Sequence, residues 1–342
     1  MAPGLREWVP RWWRGEAGWV GRGASAALWP AEQLFRGIVA ARNRAFDSGL
    51  LRSERAPIPV ISVGNLGVGG AGKTPFAAWV AGRLHEYGRR PAIVLRGYGA
   101  DEILVHRELN PDVPVHAARA RIEGVREAAA RGSDVVILDD GFQHRAIQRD
   151  LDVVLLTADG WTGEVRLLPR GPWREDLGAL RRADLVVVTR KAADDRAVGE
   201  LVRVVGCWVD AARIIECRLA MGELSRMGGA TVERVSPGWL AGRAVLAVTS
   251  LAHPEPFVAQ LRACGAQVEL AAYPDHHEFS SADALEIAAR VGNRPLVMTL
   301  KEAVKLRRLL PPEVQGWTVS QELTVEKGGD VLDAALRRAL SE

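Results

Sequence analysis

The chain has 342 residues, enough for two α/β units and a large buried core. Its net charge of +3 is too small a surplus to argue for a nucleic-acid partner, and its basic residues are almost all arginine, with only five lysines (Lys73, Lys191, Lys301, Lys305 and Lys327). Cys207, Cys217 and Cys264 form neither a C-x-x-C pair nor an even framework, which suits a reducing cytosol, argues against structural zinc and leaves core packing as their role.

No apolar run reaches the roughly 18–20 residues needed to span a bilayer, and the first residues lack the apolar region of a cleavable signal. Trp8, Trp12, Trp13, Trp19 and Trp29 are five of the eleven tryptophans, interleaved with Arg6, Arg11, Arg14 and Arg22. A helical pattern follows, with Leu28, Ala31, Phe35, Ile38, Arg42 and Phe46 near one face and Arg36 and Arg44 off it. Tryptophan and arginine beside an amphipathic helix predict a segment lying on a membrane surface. The alternative is a helix packed on the protein's own core behind a disordered leader.

Next comes a β-branched strand, Ile58–Val63, then Gly67-Val68-Gly69-Gly70-Ala71-Gly72-Lys73-Thr74, then a helical run through Phe76–Ala81. The glycine stretch fits G-x-x-x-x-G-K-[ST], the phosphate-binding P-loop, in its required place between strand and helix. Glycines let backbone N–H groups crowd a phosphate, and the helix N-terminus adds a favourable partial charge. Lys73 would reach the β- and γ-phosphates of ATP, and Thr74 would ligate Mg²⁺. Gly67, Gly69 and Gly72 also satisfy G-x-G-x-x-G, but a dinucleotide site wants an acid after the second strand. Here that strand, Ala92–Leu95, ends in Arg96, and Lys73-Thr74 has no part in dinucleotide binding, so the triphosphate reading prevails.

Strand and helix patterns alternate onward: strands at Val113–His116, Asp134–Leu138, Asp152–Leu156 and Leu185–Thr189, helices at Ala118–Ala130 and Asp194–Val205. This predicts an α/β fold, a P-loop NTPase-like parallel sheet with helices on both faces. A less regular stretch, Ala211–Pro237, is broken by Met221-Gly222 and Met227-Gly228-Gly229. Alternation then resumes at Ala244–Val248, Val268–Tyr273 and Leu296–Thr299. The organisation expected is a membrane-associating segment (1–50), a P-loop domain (51–210), a connection that could be a β-ribbon (211–238) and a smaller α/β domain closing over the cleft (239–342). The strand Val135–Leu138 ends in Asp139-Asp140, where a P-loop enzyme places an acid on Mg²⁺; either could serve.

Several motifs together resemble the tetraacyldisaccharide 4′-kinase family, the lipid A 4′-kinases. They are Val63-Gly64-Asn65, Arg96-Gly97-Tyr98-Gly99, Asp139-Asp140-Gly141-Phe142-Gln143-His144, Leu168-Pro169-Arg170-Gly171-Pro172-Trp173-Arg174-Glu175, Asp275-His276-His277 and Thr299-Leu300-Lys301-Glu302-Ala303-Val304-Lys305-Leu306, in family order over most of the chain. The D-D-G-F-Q-H stretch is the most specific. The resemblance implies a peripheral enzyme on the cytoplasmic face of the inner membrane, moving the γ-phosphate of ATP to the 4′-hydroxyl of a lipid disaccharide 1-phosphate, with no obligate protein partner.

In that family a carboxylate of a G-D-E-P motif acts as base, paired with the D-H-H histidine. The resemblance therefore implies Asp101 and His276 as catalytic groups with Lys73, and Ala100-Asp101-Glu102-Ile103 as the altered motif. Ala100 replaces Gly, Ile103 replaces Pro, and the segment that usually separates R-G-Y-G from G-D-E-P is nearly absent. Glu102 and Asp112 are the competing bases. The nucleotide site would comprise Gly67, Gly69, Gly70, Ala71, Gly72, Lys73, Thr74 and Gln143, and the metal site Thr74, Asp139 and Asp140. Asn65, Arg96, Glu102, His144, Arg174 and Glu175 would contact substrate or nucleotide, with ordinary loop hydrogen bonding the alternative for His144. Lys301 and Lys305, spaced i,i+4, also suit a solvated helix face. A competing function is a P-loop switch or metallochaperone acting on a protein partner.

Overall fold

The computed structural model describes residues 5–97, 100–227, 233–275 and 277–340. Three helices open the chain: α1 (Leu5–Trp13), α2 (Gly18–Ala27) and α3 (Trp29–Asp47). Then follow β1 (Val60–Asn65), α4 (Lys73–Glu86), β2 (Pro91–Leu95), α5 (Ala100–Leu109), β3 (Val115–Ala117), α6 (Arg121–Ala130), β4 (Val135–Asp139), β5 (Leu151–Thr157), β6 (Leu185–Arg190) and α7 (Asp195–Val205). The remainder is β7 (Ile214–Arg226), β8 (Arg234–Val235), β9 (Ala244–Thr249), α8 (Glu255–Ala263), β10 (Gln267–Ala272), α9 (Ser281–Val291), β11 (Leu296–Thr299), α10 (Leu300–Leu306), β12 (Gly316–Lys327) and α11 (Gly329–Arg338).

The strands form a single sheet in the order β10-β9-β11-β12-β7-β6-β5-β1-β4-β2-β3, with β8 beside β7. The α/β class expected from the sequence is present. Every pairing is parallel except those of β7 with β12 and β8. Central strands such as β1 and β4 are buried along their whole length, so they read as continuous apolar runs. Side-chain alternation then sorts them between two helical layers. Ile61, Val63, Val135 and Ile137 meet Phe76, Val80 and Leu84 of α4 and Leu332 and Leu336 of α11. Val60, Val136 and Leu138 meet Val125 and Ala128 of α6, while Val154 and Val186 on the same face meet Val198 and Leu201 of α7. In the second half α8 covers one face, while α9 and α10 cover the other. Each such Val, Leu, Ile or Phe contributes about 1.5–3 kcal/mol on burial.

The residues around Gly222 do not break the chain as their glycines suggested. β7 runs straight through them and pairs with β12 from Glu216↔Lys327 to Arg226↔Trp317. Glycine is there because a Cβ at 222 would lie 2.5 Å from Ser320 Oγ and 2.8 Å from Glu322 Cγ, too close for β12 to accept. This ribbon sets the geometry of the molecule. β6 pairs with the beginning of β7 and ends at Arg190↔Arg218. β11 pairs with the beginning of β12 and ends at Thr299↔Val319. Because β7 and β12 run antiparallel, the carboxyl edges of the two parallel halves both look onto the middle of the ribbon. Ligands of open α/β sheets bind at carboxyl edges, so the two halves share one cleft.

The N-terminal tryptophans divide between the two roles weighed for them. Trp12 is buried, and its Nε1 donates to Gly21 O (2.8 Å) and Ser25 Oγ (3.0 Å), locking α1 onto α2. Trp19 and Trp29 are 78% and 54% exposed, and Leu34 and Ile38, one turn apart on α3, are exposed as well. The apolar face expected on α3 is therefore split: Phe35 and Phe46 are half-buried, but Ile38 faces out. No helix among the described residues is long and apolar enough to cross a membrane.

Candidate active site

The turn from β1 into α4 places Gly69, Gly70 and Gly72 at φ of 83°, 38° and 82°. Only glycine adopts that region freely, which is why the loop can turn its amides inward. Asn65 braces it from below, its Nδ2 donating to Gly69 O at 3.2 Å. Strand register brings the acids to the same edge: Asp139 at the end of β4 lies beside Val63 of β1. Thr74 Oγ1 donates to Asp139 Oδ2 at 3.0 Å. Lys73 Nζ lies 3.5 Å from Asp140 Oδ1, and Arg174 Nη1 donates to Asp140 Oδ2 at 2.8 Å. Burial works to raise the Asp140 carboxyl, but Lys73, Arg174 and Arg121 outweigh it and hold it below the ordinary carboxylate range.

Asp140 itself has φ of 54°, a rare conformation for a non-glycine residue. It reverses the chain into Gly141-Phe142-Gln143-His144. That loop packs tightly on β1, since a Cβ at Gly64 would lie 2.5 Å from Phe142 Cβ and 2.7 Å from its backbone N. Gln143 Nε2 donates to Asn65 O (2.7 Å) and Glu175 Oε1 (3.3 Å). Glu175 is buried and receives Arg182 through both oxygens (3.0 and 3.1 Å) and Asn43 of α3 (2.7 Å). Arg42 of α3 donates to Gln143 O at 2.6 Å. Burial, reinforced by Arg121, Arg149, Arg42 and Arg96, pushes the His144 imidazole down to about 4.

A cleft of about 1380 Å³ opens above these groups. Gly69 to Thr74, Arg96, Glu102, Asp139, Asp140, Gln143 and Arg174 line it from the first half. Leu251, Ala252, His253, Asp275, Thr299, Leu300 and Lys301 line it from the second. Gly67 and Asn65 line a smaller pocket of about 150 Å³ behind the P-loop, while His144 and Glu175 are not among the residues lining the large cleft. Asp112 is exposed in the turn before β3, away from the cleft.

Asp101 stands in the first turn of α5, buried, with Lys305 Nζ of α10 at 3.1 Å from its Oδ2. Lys305 is therefore not on a solvated face; its Nζ also donates to His277 O at 3.0 Å. Lys301 Nζ is 3.4 Å from Asp275 Oδ1. His276 lies outside the described residues. Glu302, fully buried, accepts from Ser250 N and Oγ at 2.9 Å, tying the end of β9 to α10.

Three neighbours of the cleft belong to no motif of the sequence. Lys191, at the end of β6, lines the cleft and donates from Nζ to Gly70 O at 3.3 Å; burial pushes its ammonium down against the pull of Asp159. Arg121 Nη2 donates to Asp139 O at 3.1 Å. His106 of α5 contacts Asp139 from behind. The scarcity of lysine could have drawn attention to Lys191; the other two depend on packing that no local pattern reports.

The sequence profile of the tetraacyldisaccharide-1-P 4′-kinase family matches residues 24–108 and 99–341. The chain belongs to the tetraacyldisaccharide 4′-kinase family. Its relatives include the tetraacyldisaccharide 4′-kinase of Anaeromyxobacter dehalogenans, 42% identical over 96% of this chain and 94% of that one. That of Halorhodospira halophila is 37% identical over 89% of this chain and 91% of the other. Among solved structures, the family member LpxK from Aquifex aeolicus in complex with ATP superposes with a TM-score of 0.73 at 27% identity, covering 93% of this chain and 99% of that one. The two profile matches overlap over residues 99–108, nearly the whole of α5.

Proposed function

We infer that this chain is the kinase that transfers the γ-phosphate of ATP to the 4′-hydroxyl of a tetraacyl disaccharide 1-phosphate in lipid A synthesis. Membership of the family sets aside the switch and metallochaperone alternatives. The observation that carries the site assignment is the convergence at one carboxyl edge of the P-loop, Thr74–Asp139 and Lys73–Asp140–Arg174. In this assignment the amides of Gly67–Gly72 cradle the phosphates, and Lys73 leaves Asp140 for the β- and γ-phosphates.

Magnesium fits the residues present. Asp139 Oδ1 and Asp140 Oδ1 are buried without a hydrogen-bond partner, and a hydroxyl stands beside them. Magnesium commonly takes one or two carboxylates together with phosphate and water. Thr74 and Asp139 would hold it, with Asp140 neutralised by Lys73 and Arg174 until nucleotide arrives. Bound there, the ion would neutralise charge on the phosphates.

Asp101 is the assigned base, with Glu102 the neighbouring alternative that lines the cleft. Lys305 links Asp101 to the backbone carbonyl of His277, which supports a partnership with its chain neighbour His276. Arg96, Gln143 and Arg174, which line the cleft, would contact nucleotide or acceptor, with Asn65, Glu175 and His144 supporting them.

The acceptor is lipid, and the exposed Trp19, Trp29, Leu34 and Ile38 give the N-terminal helices an apolar surface suited to a membrane interface. The enzyme would thus work as a peripheral protein on the cytoplasmic face of the inner membrane. The domain division at about residues 50, 210 and 238 follows the same assignment, with the 239–342 part closing on the first. Purified protein, ATP, Mg²⁺ and a tetraacyl disaccharide 1-phosphate should give a bis-phosphorylated product. Absence of that product from folded protein, with ATP hydrolysed instead, would overturn the assignment.

A further inference from the structure

His106 is fully buried, and its Nε2 lies 2.9 Å from Asp139 Oδ2. An ionised carboxylate can only accept, so the imidazole donates from Nε2. The same Oδ2 receives the Thr74 hydroxyl at 3.0 Å, while Asp139 Oδ1 has no hydrogen-bond partner. One carboxylate oxygen is thus held by two donors from two helices and the other is left open. Rotating the carboxylate would break both bonds.

Packing does not account for a histidine here. A leucine would fill a buried helix position without desolvating two ring nitrogens, and His106 Nδ1 finds no partner to offset that cost. The one polar contact that the side chain makes among the described residues is with Asp139.

We propose that His106 is a positioning residue for Asp139: its Nε2–H fixes the carboxylate so that Oδ1 is offered to the magnesium ion without reorganisation. The proposal rests on the assignment of Asp139 to the metal. Thr74 is expected to turn its oxygen toward the ion, which leaves His106 to hold Oδ2. Such partners of a metal ligand typically contribute tenfold to a hundredfold in metal affinity. The position of His106 on α5 also links the metal carboxylate to the helix that carries Asp101, five residues earlier.

The test uses the full chain with a non-hydrolysable ATP analogue and Mn²⁺, followed by electron paramagnetic resonance. His106→Leu fills the volume without a donor, and His106→Gln places an amide N–H near the Nε2 position. The expected result is Mn²⁺ binding to the nucleotide complex weakened about tenfold or more in His106→Leu, with nucleotide affinity in EDTA unchanged, and recovery in His106→Gln. Wild-type Mn²⁺ affinity in folded His106→Leu would overturn the proposal, as would equal impairment of the Leu and Gln variants. Asp139→Asn separates the two ideas. If it loses Mn²⁺ while His106→Leu keeps it, only the positioning role fails; if it too binds normally, the metal assignment itself is wrong.

Discussion

Lys73 shows how a short motif carries its own chemistry. Its ammonium rests 3.5 Å from Asp140, which Arg174 also holds, so removing Lys73 does not leave that carboxylate unpaired. Lys73→Ala should therefore melt near the wild-type temperature yet lose on the order of 10³-fold or more in turnover, the loss expected when a cation is removed from a developing phosphoryl charge. Calorimetry beside a phosphoryl-transfer assay checks both halves. His144 makes a different prediction. Its folded pKa of about 4 lies below the unfolded value of 6.5, so the folded state binds fewer protons between these limits. Stability present above pH 6.5 is lost as pH falls toward 4. His144→Gln should flatten the fall in urea-unfolding free energy between pH 6.5 and 4.5; an unchanged slope would mean that the imidazole is already charged in the folded protein. At this scale the P-loop and Asp139-Asp140 were legible because strand, turn and helix are contiguous. Arg121 and His106 were not, because their partner Asp139 lies 18 and 33 positions away along the chain, respectively.

Elements were legible where burial is uniform and obscured where a residue type has two uses. The runs that form β1, β2, β4, β5 and β6 are predominantly apolar and lie within one or two residues of their expected limits. α5 passed unread because two of its polar residues, Asp101 and His106, are buried against Lys305 of α10 and against Asp139 rather than exposed, which breaks the amphipathic pattern. α3 likewise serves two purposes. Arg36 pairs with Asp176, Arg42 with Gln143 and Asn43 with Glu175, so its inner face braces the loops that carry Gln143 and Glu175. Leu34 and Ile38 face outward. Deleting the first 46 residues would damage both. The sharper change is Trp19, Trp29, Leu34 and Ile38 to serine together. This variant should keep its fold and its KM for ATP, bind anionic vesicles more weakly in flotation, and show a raised KM for lipid acceptor. Unaltered flotation would assign membrane contact to another surface.

At the scale of the whole molecule, the sequence identified two runs of α/β alternation but not how they meet. That depends on the antiparallel pairing of β7 with β12, residues about 100 positions apart, whose middle receives both carboxyl edges. The same pairing carries α10 onto α5. There Asp101 meets Lys305, Glu108 meets Arg307 at 2.6 Å, and Lys305 reaches the carbonyl of His277. A base in one half and its histidine in the other would make catalysis conditional on the halves being apposed. Asp101→Asn and His276→Ala should each lower kcat by about 10²–10⁴-fold while leaving ATP affinity nearly intact. Their combination should cost little more than either alone, because both changes disable the same proton acceptor. Lys305→Met should lower kcat with them, since it removes the cation that links Asp101 to the carbonyl of His277. The measurement is a double-mutant cycle on kcat with saturating ATP. Additive losses for Asp101 and His276, or full activity in Asp101→Asn with a large loss in Glu102→Gln, would move the base one residue along α5, to the carboxylate that already lines the cleft.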